Sequence, residues 1–546
     1  MIQMLTSNVV RCNVDIDNTR CQIMRQAEET TMTSALRHPL VTRPDHDVIV
    51  IGTGFSGIGM AIQLKKAGMN DFVVLEKADK VGGTWRDNHY PGCACDVQSH
   101  LYSYSFERNP DWSRMYSPQP EIRAYIERTA EKYGVTPHIR YGVTLTGAHF
   151  EEDLGLWRLT TATGETITAR AVVSGMGALS IPSYPTIKGR DSFKGASFHS
   201  QNWDHGYDLK GKRVAVIGTG ASAIQFVPAI QPAVGELKLF QRTAPWVMPK
   251  PDREIGTLER AANRYVPGFQ RTFRELIYWY LEARVFGFAV RPDLMKKMEG
   301  LARRYIRKQV KDPALRAKVT PDYTIGCKRV LLSNDYYRSL TQDNVEVVIT
   351  GIREITARGV VTDDGVEHEV DAIIYGTGFK ATDMLSGFSI TGIGGEDLNA
   401  RWKRDGAQAY LGTTTTGFPN LYFLMGPNTG LGHSSMVYMI ESQIHYVMEA
   451  LKLMQAKGYN HLDVKPEVQA AFNRKLTGKL DGTVWNNGGC LSWYRDEQGR
   501  NVTLWPDFTF RFRHATARLN PADYVATSAA SVTANRDRAA APVAAE

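Results

Sequence analysis

Residues 47–57 read DVIVIGTGFSG, and the fold follows from how that stretch is read. Residues 48–51 form a short apolar run after Asp47, the pattern of a parallel strand covered on both faces. Gly52, Gly54 and Gly57 follow at the spacing G-x-G-x-x-G, and a helical pattern then continues to Ala67 and stops at Gly68. The next apolar run, 72–75, ends at Glu76. Strand, glycine turn, helix, strand and terminal acid together make a dinucleotide-binding unit in full context. Gly52 forms the tight turn, Gly54 lets backbone approach a pyrophosphate, and Gly57 lets helix and strand close up. The helix start, with Thr53 and Ser56 in its turn, attracts phosphate. Glu76 can accept hydrogen bonds from a ribose and would repel a 2′-phosphate.

The unit recurs about 166 residues later, as the numbering of the two turns shows. Residues 213–217 (RVAVI) lead into Gly218, Thr219, Gly220, Ala221, Ser222 and Ala223, with Ala223 in place of the third glycine. The following strand, 237–240, ends at Gln241, Arg242 and Thr243. A cation and a hydroxyl stand where the first unit carries its acid, which is the chemistry for a 2′-phosphate and so for NADPH over NADH. Lys328 is a second candidate cation from a distant loop.

Around these units strands alternate with helices, so the expected fold class is α/β with two Rossmann-like dinucleotide-binding domains and a helical insertion in the second. The domain reading is a flexible arm over 1–44, with Met32 as an alternative start. The first nucleotide domain covers 45–175 and 371–522. The second covers 176–250, including a linker at 193–204, and 328–370. The insertion spans 251–327, and a disordered Ala/Ser/Val/Thr-rich tail spans 523–546.

Composition narrows the classes. Of 546 residues, 43% are hydrophobic and 22% charged, with a formal net charge of +8. No Lys/Arg run exceeds short pairs, which argues against nucleic acid, and an anionic cofactor accounts for the bias equally well. The longest apolar stretch, 276–290, is broken by Glu282 and Arg284 and is too short to span a bilayer. The first thirty residues lack the apolar core of a secretory signal. Cys12, Cys21, Cys93, Cys95, Cys327 and Cys490 are too sparse for a disulfide scaffold and show no metal spacing, so a reducing cytoplasm and no metal are expected. Cys93 and Cys95 are spaced CxC, not the CxxC of a dithiol reductase, and read as buried packing groups.

Residues 193–204, FKGASFHSQNWD, place Phe193, Gly195, His199, Trp203 and Asp204 at the spacing F-x-G-x-x-x-H-x-x-x-W-[PD]. This segment resembles the fingerprint of type I Baeyer–Villiger monooxygenases, FAD-containing enzymes such as phenylacetone and cyclohexanone monooxygenases that insert oxygen beside a ketone carbonyl. The resemblance runs from about residue 45 to 515. Gly82, Gly83, Thr84 and Trp85 resemble the segment that passes the FAD, and Tyr102 falls where the family has a flavin contact. The resemblance implies that Asp96 orients Arg329 against the flavin, that a C4a-peroxyflavin attacks the ketone, and that Trp505 contacts the nicotinamide end of NADP. It also implies that His199 couples domain motion to cofactor position. Ala94 departs from relatives that carry arginine there, which puts local NADP contacts in doubt. A flavin N- or S-oxygenase is the alternative reading. The expected partners are a small-molecule ketone and O2, with no nucleic acid and no membrane span. Oligomeric state and the particular ketone are not legible. Trp485, Trp493 and Tyr494, with the insertion, are expected to wall the pocket.

Overall fold

The structure is a computed structural model that describes residues 43–528 apart from Met384. Nearly all of the expected N-terminal arm, with Cys12, Cys21 and Met32, and the chain beyond 528 lie outside the described residues.

The first half of the chain opens with β1 (His46–Ile51), α1 (Phe55–Lys66) and β2 (Phe72–Leu75), followed by β3 (Ile139–Arg140), β4 (Leu145–Glu151), β5 (Leu156–Thr161) and β6 (Thr166–Ser174). Next come β7 (Ala196–His199), β8 (Arg213–Ile217), α2 (Ala223–Ile230), β9 (Glu236–Phe240), α3 (Phe269–Glu282) and α4 (Met295–Gln309). The remainder supplies β10 (Val345–Val348), β11 (Ala372–Tyr375), β12 (Ser389–Thr391), β13 (Leu421–Phe423), α5 (Met436–Lys457), β14 (Tyr459–Val464) and β15 (Tyr524–Ser528).

Two sheets organise these elements. The first has the order β12-β4-β5-β6-β1-β2-β3, with β13 beside the end of β6. Its centre is parallel, with Ile49 opposite Val73 on one side and Val172 on the other. The second has the order β10-β9-β8-β11-β7 and is parallel throughout. Both central strands are unbroken apolar runs because both faces are covered, and Ile49, Val50, Val214 and Val216 are wholly buried. In each sheet a glycine turn leaves the carboxyl end of the central strand, where α/β sheets bind ligands.

Two boundaries differ from the sequence reading. Residues 371–375 belong to the second sheet, because β11 pairs with both β8 and β7. The chain rejoins the first sheet only at β12 and β13. A buried run such as AIIY fits any parallel sheet, so its pattern does not disclose its neighbours. The expected disordered tail also starts too early, since β15 pairs antiparallel with β14. Tyr524 anchors it from a buried position, its hydroxyl 2.8 Å from that of Tyr446. One buried tyrosine and five paired residues outweigh the Ala/Ser/Thr-rich composition around them.

Candidate active site

The first glycine turn is built by close backbone approach. A Cβ on Gly57 would lie 1.8 Å from the carbonyl oxygen of Gly52, and one on Gly83 would lie 2.9 Å from Gly54 Cα. Residues 52–57 and 82–85 therefore form a cradle in which a side chain at Gly57 or Gly83 would have no room. Gly57→Ala is expected to push the turn apart and weaken flavin retention at least about tenfold, read from the flavin-to-protein absorbance ratio after gel filtration.

Glu76 sits buried at the end of β2. Thr53 donates to its Oε2 through N (2.9 Å) and Oγ1 (2.6 Å), Ala78 N donates to Oε1 (2.9 Å), and Arg86 Nη1 lies 3.1 Å from Oε1. Those donors occupy the roughly four acceptor sites of a carboxylate. Here Glu76 locks strand end, glycine turn and Arg86 together, and a ribose hydroxyl would have to displace one of these donors.

Beyond the cradle lies a cavity of about 300 Å³ walled by both nucleotide units. Thr84, Trp85, Asp96 and Tyr102 come from the first, Ser222 and Gln225 from the second, and Arg329, Leu431 and Ser434 from later segments. Arg329 Nε donates to Asp96 Oδ2 at 2.7 Å, and Nη1 donates to the Leu431 carbonyl at 3.1 Å. Burial opposes both charges, yet each partner outweighs it: Asp96 holds the Arg329 pKa above its ordinary value, and Arg329 holds the Asp96 pKa below its own. The result is a permanently charged guanidinium in a fixed orientation, with three of its five N–H donors still free of these two bonds. Ser434 Oγ is buried on the same wall without a hydrogen-bond partner.

At the second turn, Thr219 Oγ1 donates to the Thr243 carbonyl (3.1 Å) and so ties glycine loop to strand end. Arg242 is exposed there, and the Lys328 ammonium stands 4.8 Å over the Tyr323 ring. Burial lowers the Lys328 pKa, and the nearby Arg242 charge lowers it further. Two cations from segments far apart in sequence thus converge, and Asp322 only partly offsets their charge at Lys328.

The linker lies inside the second sheet. His199 ends β7, wholly buried, and its Nδ1 accepts from Gln201 N at 3.1 Å. Burial lowers its pKa, so the ring is neutral at pH 7. It does not line the cavity, but its ring packs edge-on against Phe379 (5.7 Å), which does. Trp203 packs between Phe198 and Phe226, both at 5.3 Å, and so fastens the linker to α2.

Comparison with known proteins completes the picture. Residues 49–258 match the family model described as pyridine nucleotide-disulphide oxidoreductase. A Baeyer–Villiger monooxygenase of Pseudomonas aeruginosa is 56% identical over 482 residues, 88% of this chain and 91% of that protein. Another from Streptomyces coelicolor is 49% identical over 87% of this chain and 92% of its own length. The crystal structure of OTEMO complexed with FAD and NADP superposes with a TM-score of 0.81 at 28% identity, covering 89% of this chain and all of that one. This chain belongs to the Baeyer–Villiger monooxygenase family. It is an FAD- and NADPH-dependent oxidoreductase, and the two glycine cradles fit those two dinucleotides.

Within this monooxygenase the four described cysteines separate into two groups. Cys93 and Cys95 are free and buried, and burial pushes both thiols up, Cys93 to about 12. Buried thiols of this kind fit the packing role expected from their CxC spacing. Cys327 and Cys490 form a disulfide across 163 residues. That bridge was not expected from cysteines read as too sparse for a disulfide scaffold in a reducing setting, and spacing alone had no means to show it. It ties the segment before Lys328 and Arg329 to the loop that carries Trp493, another cavity residue. Reducing agent is therefore expected to free this loop, so that trypsin cuts after Arg495 and Arg500 several-fold faster. Unchanged cleavage would show that the Arg495 bond to the Trp485 carbonyl and the Phe288–Trp485 stack hold it instead.

Trp505 is not brought to the cavity. It is buried against Phe512 (5.0 Å), and its Nε1 donates to the Phe508 carbonyl (3.1 Å). The sequence reading missed Gln225 and Leu431. Gln225 accepts from Tyr90 Oη (3.0 Å) and donates to the Ala94 carbonyl (2.9 Å), joining α2 to the strip before Asp96. Its position one turn into α2 was the available signal. Leu431 acts through its backbone, which no side-chain pattern reveals.

Proposed function

We propose that Arg329 is the group that commits this enzyme to oxidising ketones to esters or lactones, using one O2 and one NADPH and releasing one water. Bound FAD supplies the electron transfer from NADPH and the activation of oxygen. The protein supplies a dry cavity, an orienting clamp and a fixed charge. Asp96 and the Leu431 carbonyl take two N–H groups of Arg329 and aim the rest into the cavity. Negative charge gathers on the former carbonyl oxygen as the ketone carbon is attacked. A cation about 4 Å away stabilises such charge by ~4 kcal/mol at an effective dielectric of 20. The carrying observation is the Arg329–Asp96 pair within a wall otherwise rich in Leu431, Met425, Val502 and Trp493, which suits an apolar ketone.

In the same reading the turn at Gly52, Thr53, Gly54, Ser56 and Gly57, with Glu76, Gly83, Thr84, Trp85 and Tyr102, holds FAD. The turn at Gly218, Thr219, Gly220, Ser222 and Ala223, with Arg242, Thr243 and Lys328, holds NADPH. His199 is a positioning residue acting through Phe379, and Trp505 is a packing residue of the adjoining loop. Dependence on NADPH suits a cytoplasmic setting, and among the described residues no helix is long and apolar enough to cross a membrane. Product analysis with a cyclic ketone, a tertiary amine and a thioether in parallel tests the reading. Lactone as the main product is expected, whereas N-oxide or sulfoxide with no lactone would move the enzyme to the alternative oxygenase class.

A further inference from the structure

The helical insertion carries a surface that the reaction does not use. Residues 251–320 contain sixteen Lys and Arg against eight Asp and Glu, a net +8 that equals the formal charge of the whole chain. Within them α3 is apolar on two faces. Ile277, Tyr278 and Leu281 face the core, as expected. Leu276, Trp279 and Tyr280 face outward and remain 63%, 56% and 57% exposed, with Phe269 before them and Phe286 and Val290 after them also exposed. At 100° per residue, Phe269, Leu276, Trp279 and Tyr280 fall on one side of the helix. Phe510 extends the stripe from another segment, its ring 6.0 Å from Trp279. Isolated exposed apolar residues need no explanation, but a contiguous aromatic stripe does.

The charge beside it is mainly positive, Glu275 being the one exposed acid of α3. Arg284 lies 5.0 Å over the Tyr280 ring. Along α4, Lys296, Lys297, Arg304, Arg307 and Lys308 make no ion pair with any described residue, nor does Arg271 near the start of α3, whereas Arg291 and Arg303 are paired. Tryptophan, tyrosine and leucine flanked by unpaired lysine and arginine match the chemistry of a membrane interface, apolar rings at headgroup depth and cations against anionic phosphates. A second protein surface would more often meet such cations with paired carboxylates at the rim.

The surface also adjoins segments that lead to cavity residues. Phe288, between the exposed Phe286 and Val290, stacks on Trp485 at 5.8 Å, and a Cβ on Gly326 would meet the Phe288 ring at 2.7 Å. The same turn thus touches both the segment leading to Arg329 and the loop bearing the cavity residue Trp493. We propose that the outer face of α3 and the free cations of α4 dock this enzyme on an anionic lipid surface, where an apolar ketone dissolved in the bilayer can reach the cavity.

The test is co-sedimentation of the full-length flavoprotein with phosphatidylcholine vesicles and with vesicles containing phosphatidylglycerol. Binding to the anionic vesicles is expected at about 0.05 M salt and is expected to weaken at about 0.5 M. Lys297→Gln, Arg304→Gln and Lys308→Gln together should lower partitioning about a hundredfold, since each cation near such a surface contributes roughly fivefold. Leu276→Ser, Trp279→Ser and Tyr280→Ser together should lower it at least about tenfold. Both variants should turn over a water-soluble ketone in lipid-free buffer at the wild-type rate. Failure of the wild-type protein to prefer anionic vesicles at low salt would overturn the proposal. So would sedimentation equilibrium showing a dimer that the serine variant converts to monomer, because a second copy would then own the stripe.

Discussion

Arg329→Ala is expected to keep hydride transfer from NADPH close to the wild-type rate while ester formation falls by roughly 10²–10³-fold. NADPH consumed without product should then appear as hydrogen peroxide. The two losses separate because reduction needs the nucleotide cradles, which do not include Arg329, whereas attack on the ketone needs a charge at the cavity wall. Lysine is not an equivalent replacement: it stays cationic but cannot hold Asp96 and the Leu431 carbonyl while aiming further donors inward. Arg329→Lys should therefore recover only part of the lost ester. Asp96→Asn should keep the cation but loosen its aim, giving a smaller loss than Arg329→Ala. Ester yield within about twofold of wild type in Arg329→Ala, below the smallest loss expected of a charge-stabilising group, would remove Arg329 from the reaction.

The sign of the pH dependence follows from the same pair. Arg329 lowers the Asp96 pKa, so the stabilisation it brings is fully present above the ordinary carboxylate value of about 4 and is lost as pH falls through the lowered folded value. In Arg329→Ala the burial that opposes the Asp96 charge is no longer offset, so its pKa rises. The variant should therefore be destabilised most near neutral pH, where Asp96 is buried and charged, and should recover part of that loss relative to wild type on acidification, which a series of melting curves would resolve.

Removing both Arg242 and Lys328 is expected to raise KM for NADPH about a hundredfold and to change KM for NADH by less than about threefold. Each charge-assisted contact to a phosphate contributes roughly 1.5–3 kcal/mol, and only NADPH carries the 2′-phosphate. Lys328 sharpens this expectation. Burial and the neighbouring Arg242 both disfavour its charge, and a phosphate between the two cations would relieve that repulsion. Either single replacement should retain part of the discrimination. Equal effects on both nucleotides would mean that the two residues support the fold of the loop and do not read the phosphate.

What was legible in the sequence was whatever sterics dictate locally. The turns at Gly52 and Gly218 must be glycine-rich because backbone passes backbone there, and the strand-end residues Glu76 and Arg242 follow at fixed spacing. What lay hidden depends on contacts between distant segments. Asp96 and Arg329 are 233 residues apart, and only the resemblance to a family joined them before the structure did. Cys327 and Cys490 meet because the loop around Gly488 folds back over the arginine segment, a fact carried by no spacing rule. The sheet membership of β11 was ambiguous because a fully buried strand has no polar face to betray its neighbours. Trp505, which a family position sets near the nicotinamide, packs against Phe512, a contact that no local pattern discloses.

The most direct test of the account is isotopic. The flavin-loaded enzyme would be supplied with NADPH, ¹⁸O2 and a panel of cyclic and linear ketones, and the products read by mass spectrometry. The account predicts esters or lactones carrying one ¹⁸O in the ester linkage, in proportion to NADPH consumed. Consumption of NADPH and O2 with hydrogen peroxide as the sole oxygenated product across the whole panel would contradict it.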